Sequence, residues 1–95
     1  MATTLGLAHL KFHVSQAASL KDKRRVLKSF KDRLAHAHNV SVAEVDAQNQ
    51  HRLAVLAVAM VGSDRAYVEG ALQRIVNAAS QHRDMILIDH EIEWL

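Results

Sequence analysis

Seven basic side chains are concentrated in one short segment of this chain, where they could bind an anionic partner. Between residues 21 and 33 lie seven of the twelve lysines and arginines together with two aspartates, so the segment carries +5. The formal net charge of the whole chain is only +2, so the remainder is mildly acidic. Clustered cations neutralise phosphates, which gives salt-dependent binding with little sequence preference. We predict RNA contact through five of these residues: Lys21, Arg24, Arg25, Lys28 and Lys31.

Apolar residues at helical spacing predict that this segment is an amphipathic helix with most of the cations on its outer side. The apolar stripe consists of Leu20, Leu27, Phe30, Leu34 and Ala37. Ser19 is a natural N-cap, and Asp22 completes a capping-box pattern. An alternative interpretation is that the basic side is merely a solvated helix face, partly balanced by Asp22 and Asp32.

Lys23 differs from the other cations because its helical angle places it on the apolar stripe, between Leu20 and Leu27. We expect its methylene stem to be buried and its ammonium group to reach water. The alternative is a desolvated lysine poised for chemistry. No other residue in the sequence supplies an evident partner for such chemistry.

Seven histidines raise the question of a metal site. His9 and His13 fall four residues apart on a predicted strand, about 13 Å at ~3.3 Å per residue, and cannot share an ion. His36 and His38 would need a third ligand, and no patterned partner is visible. We therefore expect surface histidines that titrate near pH 6, and we predict no metal and no other cofactor.

Catalytic arrangements known in small α+β domains have no counterpart in the sequence. An acylphosphatase-type site needs a glycine-containing anion loop with an arginine after the first strand, and the Ser-Gln-Ala-Ala link at 15–18 lacks both. No Ser-His-Asp set, carboxylate pair or Walker-type motif is present. We predict that the chain is not an enzyme.

Composition predicts a single domain over residues 1–95 in a reducing compartment. The chain has no cysteine and no proline, and half of its residues are hydrophobic. No stretch approaches the ~18 apolar residues of a membrane-spanning helix, and the first residues do not resemble a signal peptide. We expect a cytoplasmic protein without a membrane partner.

Hydrophobic periodicity predicts four strands and two helices. The strands cover 5–14, 39–47, 53–61 and 85–95, and the helices cover 19 to about 38 and 64 to about 81. The order β-α-β-β-α-β with right-handed crossovers gives an α+β, ferredoxin-like fold, with a four-stranded antiparallel sheet and two helices on one face. In that fold the first and last strands are neighbours. His9, Lys11 and His13 would then oppose the acidic row Asp89, Glu91 and Glu93.

The second face of such a sheet has no covering layer and carries apolar residues beside the charged ones. Leu5, Leu7 and Leu87 are predicted to lie there, next to the apolar third strand. A monomer would expose this patch, whereas a homodimer would bury it. We therefore predict a homodimer with these three leucines in its interface.

Two long motifs carry a resemblance to a known family. Residues 19–29 read SLKDKRRVLKS and residues 39–46 read NVSVAEVD. The chain resembles, over essentially its whole length, the YlxP-like family of small bacterial proteins, which is catalogued as a domain of unknown function. The resemblance implies a ferredoxin-like fold and a bacterial cytoplasmic protein without assigned catalytic residues. The family's genes often lie near those of translation factors, which implies association with RNA or the ribosome.

Two functions therefore compete at the level of the sequence. The first is a dimeric binding module that contacts RNA or the ribosome through its basic first helix. The second is a dimeric protein-interaction or small-ligand regulatory domain with no nucleic-acid role. In the second case an acidic protein would meet the helix, or a partner would cover the sheet.

Overall fold

The computed structural model describes residues 2–95 and contains the six predicted elements in the predicted order. The strands are β1 (Thr4–His13), β2 (Ser41–Asp46), β3 (Leu53–Gly62) and β4 (Ile86–Trp94). The helices are α1 (Leu20–Ala37) and α2 (Arg65–Ser80). The strands form one antiparallel sheet in the order β2-β3-β1-β4. The prediction of a ferredoxin-like α+β fold is confirmed.

The core lies between one face of the sheet and the two helices. Even-numbered residues of β1 and β3 point into it, including Leu10, Phe12, Leu56 and Val58, all fully buried. The inward side of α2 is buried throughout, and it consists of Val68, Ala71, Leu72, Ile75, Val76 and Ala79. This one-sided arrangement leaves the odd-numbered strand residues on a second face, called here the open face.

Capping of α1 follows the sequence prediction closely. The Ser19 hydroxyl accepts a hydrogen bond from the Asp22 N–H at 3.1 Å. The Asp22 carboxylate accepts from the Ala18 N–H, also at 3.1 Å, one residue before the N-cap itself. At the other end the C-cap is His38. The first turn is thus fixed by two side chains, and this fixes where the basic segment begins.

The edge strand β2 carries an acidic side chain on its helix side, followed by a register shift. The register shift lies between Glu44 and Asp46. Glu44 pairs with Leu56, whose side chain belongs to the core, so Glu44 also projects to the helix side. Val45 is the additional residue of the bulge.

A second register shift corrects the prediction for β4. Pairing between β1 and β4 slips between Lys11 and Phe12, so Leu87 lies opposite Phe12 and packs against the core. Placing Leu87 on the open face was therefore wrong. Ile86 pairs with His13 instead, and its side chain is exposed.

The predicted attraction between β1 and β4 is confirmed in part. His9 pairs with Glu91 and Lys11 pairs with Asp89 in the observed register. Glu93 lies opposite Leu7 rather than a basic residue, and the bulge moves His13 out of the charged row.

The glycine in β1 has a packing role, and the glycine in α2 does not. A Cβ on Gly6 would lie 2.6 Å from Leu72 Cδ1 and 3.0 Å from Trp94 Cζ3, which is closer than real side chains approach. A Cβ on Gly70 would meet only the Arg74 guanidinium at 3.5 Å. Close packing does not explain Gly70, which costs α2 about 1 kcal/mol relative to alanine.

Neither helix in the described part of the chain combines the length and apolar character needed to cross a bilayer.

Candidate nucleic-acid interface on the first helix

Lys23 is completely buried, which contradicts the prediction that its ammonium group reaches water. Its position on the apolar stripe directs the side chain from the second turn of α1 towards the β2–β3 hairpin. Oxygen atoms fill the space around the ammonium group. Snorkelling requires a path to solvent, and the hairpin closes that path.

Four oxygen atoms surround the Lys23 ammonium group. Nζ donates to the carbonyl oxygens of Ala47 at 2.9 Å, Leu53 at 3.1 Å and Gln48 at 3.4 Å. Glu44 Oε2, a buried oxygen, lies 2.7 Å from Nζ. The four oxygens share the three N–H donors of the ammonium group, and the carboxylate also supplies the compensating charge.

The lysine therefore joins α1 to both strands of the hairpin and to its turn. Ala47 is held at φ 57°, the left-handed region that an alanine rarely adopts, and its carbonyl also accepts from the Gln50 N–H. A buried charge of this kind is unfavourable unless every partner is in place, so it selects one rotation of α1 against the sheet. Because its donors are occupied and solvent is excluded, Lys23 is a structural residue and not a reactive one.

The same rotation leaves the five predicted contact residues on the solvent side of α1. Four of them are exposed and Lys31 is half-buried on the flank, and together they form the surface called here the basic face: Lys21, Arg24, Arg25, Lys28 and Lys31. From the first to the last of these residues the helix rises about 15 Å, at ~1.5 Å per residue.

Two cations of the basic face have carboxylates of their own chain beside them. Arg25 lies 3.2 Å from Asp22, and Lys28 lies 2.7 Å from Asp32, which raises the pKa of Lys28. The side chains of Arg25 and Lys28 remain about three-quarters exposed, at 75% and 76%. Exposed helical pairs of this kind are worth only ~0.3–0.5 kcal/mol, so an incoming phosphate can compete for both cations.

The histidines of the described residues 2–95 do not form a metal-binding cluster, because no three His, Asp or Glu side chains converge there. His9 lies on the open face with Nδ1 3.9 Å from Glu91 Oε1. His82 packs edge-on against Phe30, with ring centroids 5.5 Å apart. Burial, and secondly the charge of Arg33, lower the pKa of His82.

The open face contains Leu5 and Leu7 as predicted, both half-buried between neighbouring strands. Val61 lies opposite Leu5 on β3 and is 55% exposed. The leucines therefore lie in the apolar part of this face, at the end of β1 away from Lys11.

Comparison with known proteins places the chain in a family. A family model described as a protein of unknown function, DUF503, matches residues 5–92. The chain belongs to the DUF503 family. This DUF503 protein is also 35% identical over 72 residues to the uncharacterized protein YlxP of Bacillus subtilis (strain 168), covering 76% of this chain and 78% of that relative. The resemblance inferred from the basic-helix and second-strand motifs is confirmed.

Sequence reasoning missed Glu44 as the partner of Lys23. The available signal was a lone acidic residue within the apolar Val-Ser-Val-Ala-Glu-Val run of an edge strand. Alternation from Val42, which pairs with the buried Val58, places Glu44 on the helix side before the register shift at Val45. In this DUF503 chain Lys23 is buried, whereas the cations of the basic face lie at the surface.

We predict that replacing Lys23 with methionine costs about 3–5 kcal/mol of unfolding free energy, because it leaves the Glu44 carboxylate buried without a counter-charge. Urea denaturation followed by circular dichroism measures the loss. Lys21→Met, an exposed change two residues earlier, should cost less than ~0.5 kcal/mol. Equal small effects for both variants would contradict the buried ion pair.

Proposed function

We propose that this protein binds RNA, free or within the ribosome, through the basic face of α1. The observation that supports this proposal best is the difference in burial and pairing between Lys23 and the outer cations of that helix. Lys23 is neutralised inside the fold, whereas Lys21, Arg24 and Lys31 lie outside with no carboxylate of the described chain paired to them. Such unpaired cations on the outer side of one helix suit a phosphate backbone.

The helix suits this role better than the sheet does. Sheet-based RNA recognition stacks bases on aromatic residues of the central strands. In this chain β3 has no aromatic residue, and Phe12 of β1 is fully buried on the helix side. The open face also carries the acidic row of β4, which would repel phosphates. Binding would therefore be electrostatic and only weakly selective for sequence.

A neutralised helix tests the proposal without creating new repulsion inside the protein. The triple variant Lys21→Gln, Arg24→Gln and Lys31→Gln removes the cations that lack a carboxylate partner. Each phosphate contact contributes about −0.7 to the slope of log affinity against log salt for single strands, so we expect a slope shallower by about 2. Fluorescence anisotropy with single-stranded RNA at several salt concentrations measures this change.

The matched control is Arg52→Gln, Arg65→Gln and Arg74→Gln, which changes the net charge equally at exposed positions outside the basic face. It should preserve the salt slope of the unmodified protein. If both triple variants lose affinity equally, net charge rather than the basic face governs binding. If neither variant changes it, the proposal fails.

A second function, homodimerisation through the open face, is favoured by the pattern of that face. Its apolar part contains Leu5, Leu7 and Val61, and its polar part sets His9 and Lys11 beside an acidic row. Two copies related by a twofold axis could bury the first part and set cations of one copy near acids of the other. Such an assembly would leave α1 free for RNA.

Light scattering during gel filtration tests the dimer directly. At micromolar concentration we expect twice the 10.6 kDa chain mass. Leu7→Lys should give the mass of one chain. Tyr67→Lys, which changes an exposed residue of α2, should keep the mass of the dimer. A mass of one chain for the unmodified protein would rule out this interface.

A further inference from the structure

A groove separates α1 from the segment that follows α2. Its volume is about 690 Å³, within the ~300–1,000 Å³ range of small-ligand sites. It runs along the flank of α1 that adjoins the basic face, with Ser29 between the two surfaces. The groove is lined by Val26, Phe30, Arg33, Ala78, His82 and Arg83, among others.

The floor and the rim of this groove differ in chemistry. Phe30 and Leu34 form an apolar floor and belong to the core. Arg33 and Arg83 bring two guanidinium groups to the rim, and the one carboxylate of the lining, Asp84, lies 3.8 Å from Arg83. An apolar floor with cations at its edges is complementary to a flat, neutral ring that carries a phosphate.

His82 is held in place at the side of the groove. Its ring packs edge-on against Phe30, which packs edge-on against Phe12 at 5.6 Å, so an aromatic column extends from the sheet to the groove. His82 Nδ1 accepts a hydrogen bond from the Asp84 N–H at 3.0 Å. The neutral imidazole that accepts at Nδ1 carries its proton on Nε2, where it is a donor.

Both arginines are close enough to His82 to act on its charge. Burial lowers the pKa of His82 first, and the positive charges of Arg33 and Arg83 lower it further, against an opposing effect of Asp84. The groove therefore has a positive potential while its imidazole stays neutral at pH 7. A neutral aromatic ring beside guanidinium groups is suitable for stacking or hydrogen bonding with a base.

We propose that this groove receives one unpaired base of single-stranded RNA, with Arg33 and Arg83 contacting the neighbouring phosphates. This inference rests on the proposed RNA binding by the basic face and extends it. A base in a duplex is not free to enter, so the groove would make the protein prefer single strands. Phosphates of the same strand could continue onto the basic face, because Ser29 adjoins both surfaces.

The test compares two ligands that share a backbone but differ in their bases. Fluorescence anisotropy measures the affinity of a short single-stranded RNA and of an abasic oligonucleotide of the same length. Stacking of one base on a protein surface increases the affinity by about tenfold. We expect the intact RNA to bind about tenfold more tightly than the abasic strand.

Three variants locate the difference. Ala78→Leu fills the groove from the exposed last turn of α2 and should reduce the tenfold preference to near one, with abasic binding unchanged. Arg33→Gln should weaken the binding of both ligands and also reduce the preference for the intact strand. Ala35→Leu, an equal change at an exposed α1 position that does not line this groove, should keep the preference. Melting temperature and circular dichroism report whether each variant is folded.

Each outcome separates this inference from the function on which it rests. Equal binding of intact and abasic strands overturns the groove as a base site and leaves the basic face standing. A preference that persists in both Ala78→Leu and Arg33→Gln places base recognition elsewhere and overturns the inference as well. Failure of both oligonucleotides to bind overturns the proposed RNA binding itself.

Discussion

The buried contact between Lys23 and Glu44 constrains the rest of this structure. The contact fixes α1 against the β2–β3 hairpin at one rotation, because three backbone carbonyls and one carboxylate must meet a single ammonium group. A small rotation of the helix would leave a charge buried and unpaired, which is among the most unfavourable states in a protein interior. The position of every other cation on α1 follows from this constraint.

The two sides of the molecule consequently have different electrostatic characters. The helical side has the basic face, and one flank of α1 continues into a groove with two further guanidinium groups. The open face has an apolar part and a polar part in which the acids of β4 lie beside His9 and Lys11. The proposed anionic partner would therefore meet the helices, and the proposed second copy of the chain would meet the open face.

Most of the fold could be predicted from the sequence because its elements have strong, uninterrupted periodicity. The buried side of α2 and the N-cap of α1 follow from residue spacing alone. The error for Leu87 arises at a bulge. Ile88 is the additional residue there, so Leu87 and Asp89 lie on opposite faces and Leu87 packs against the core. This outcome cannot be read from residue types, since the bulge depends on pairing with β1, which is distant in sequence. Glu44 precedes the bulge of β2, and simple alternation from Val42 places it on the helix side.

The candidate site shows the same limit. Helical spacing was sufficient to place Lys21, Arg25 and Lys28 on the solvent side. The groove could not be anticipated, because it brings Arg33 near Arg83 across fifty residues of chain.

Two-dimensional amide NMR spectra during titration with single-stranded RNA test the account most directly. We expect shifts along residues 21–33 and 81–84 and little change on the open face. Shifts confined to the open-face strands, or none at saturating RNA, would contradict it.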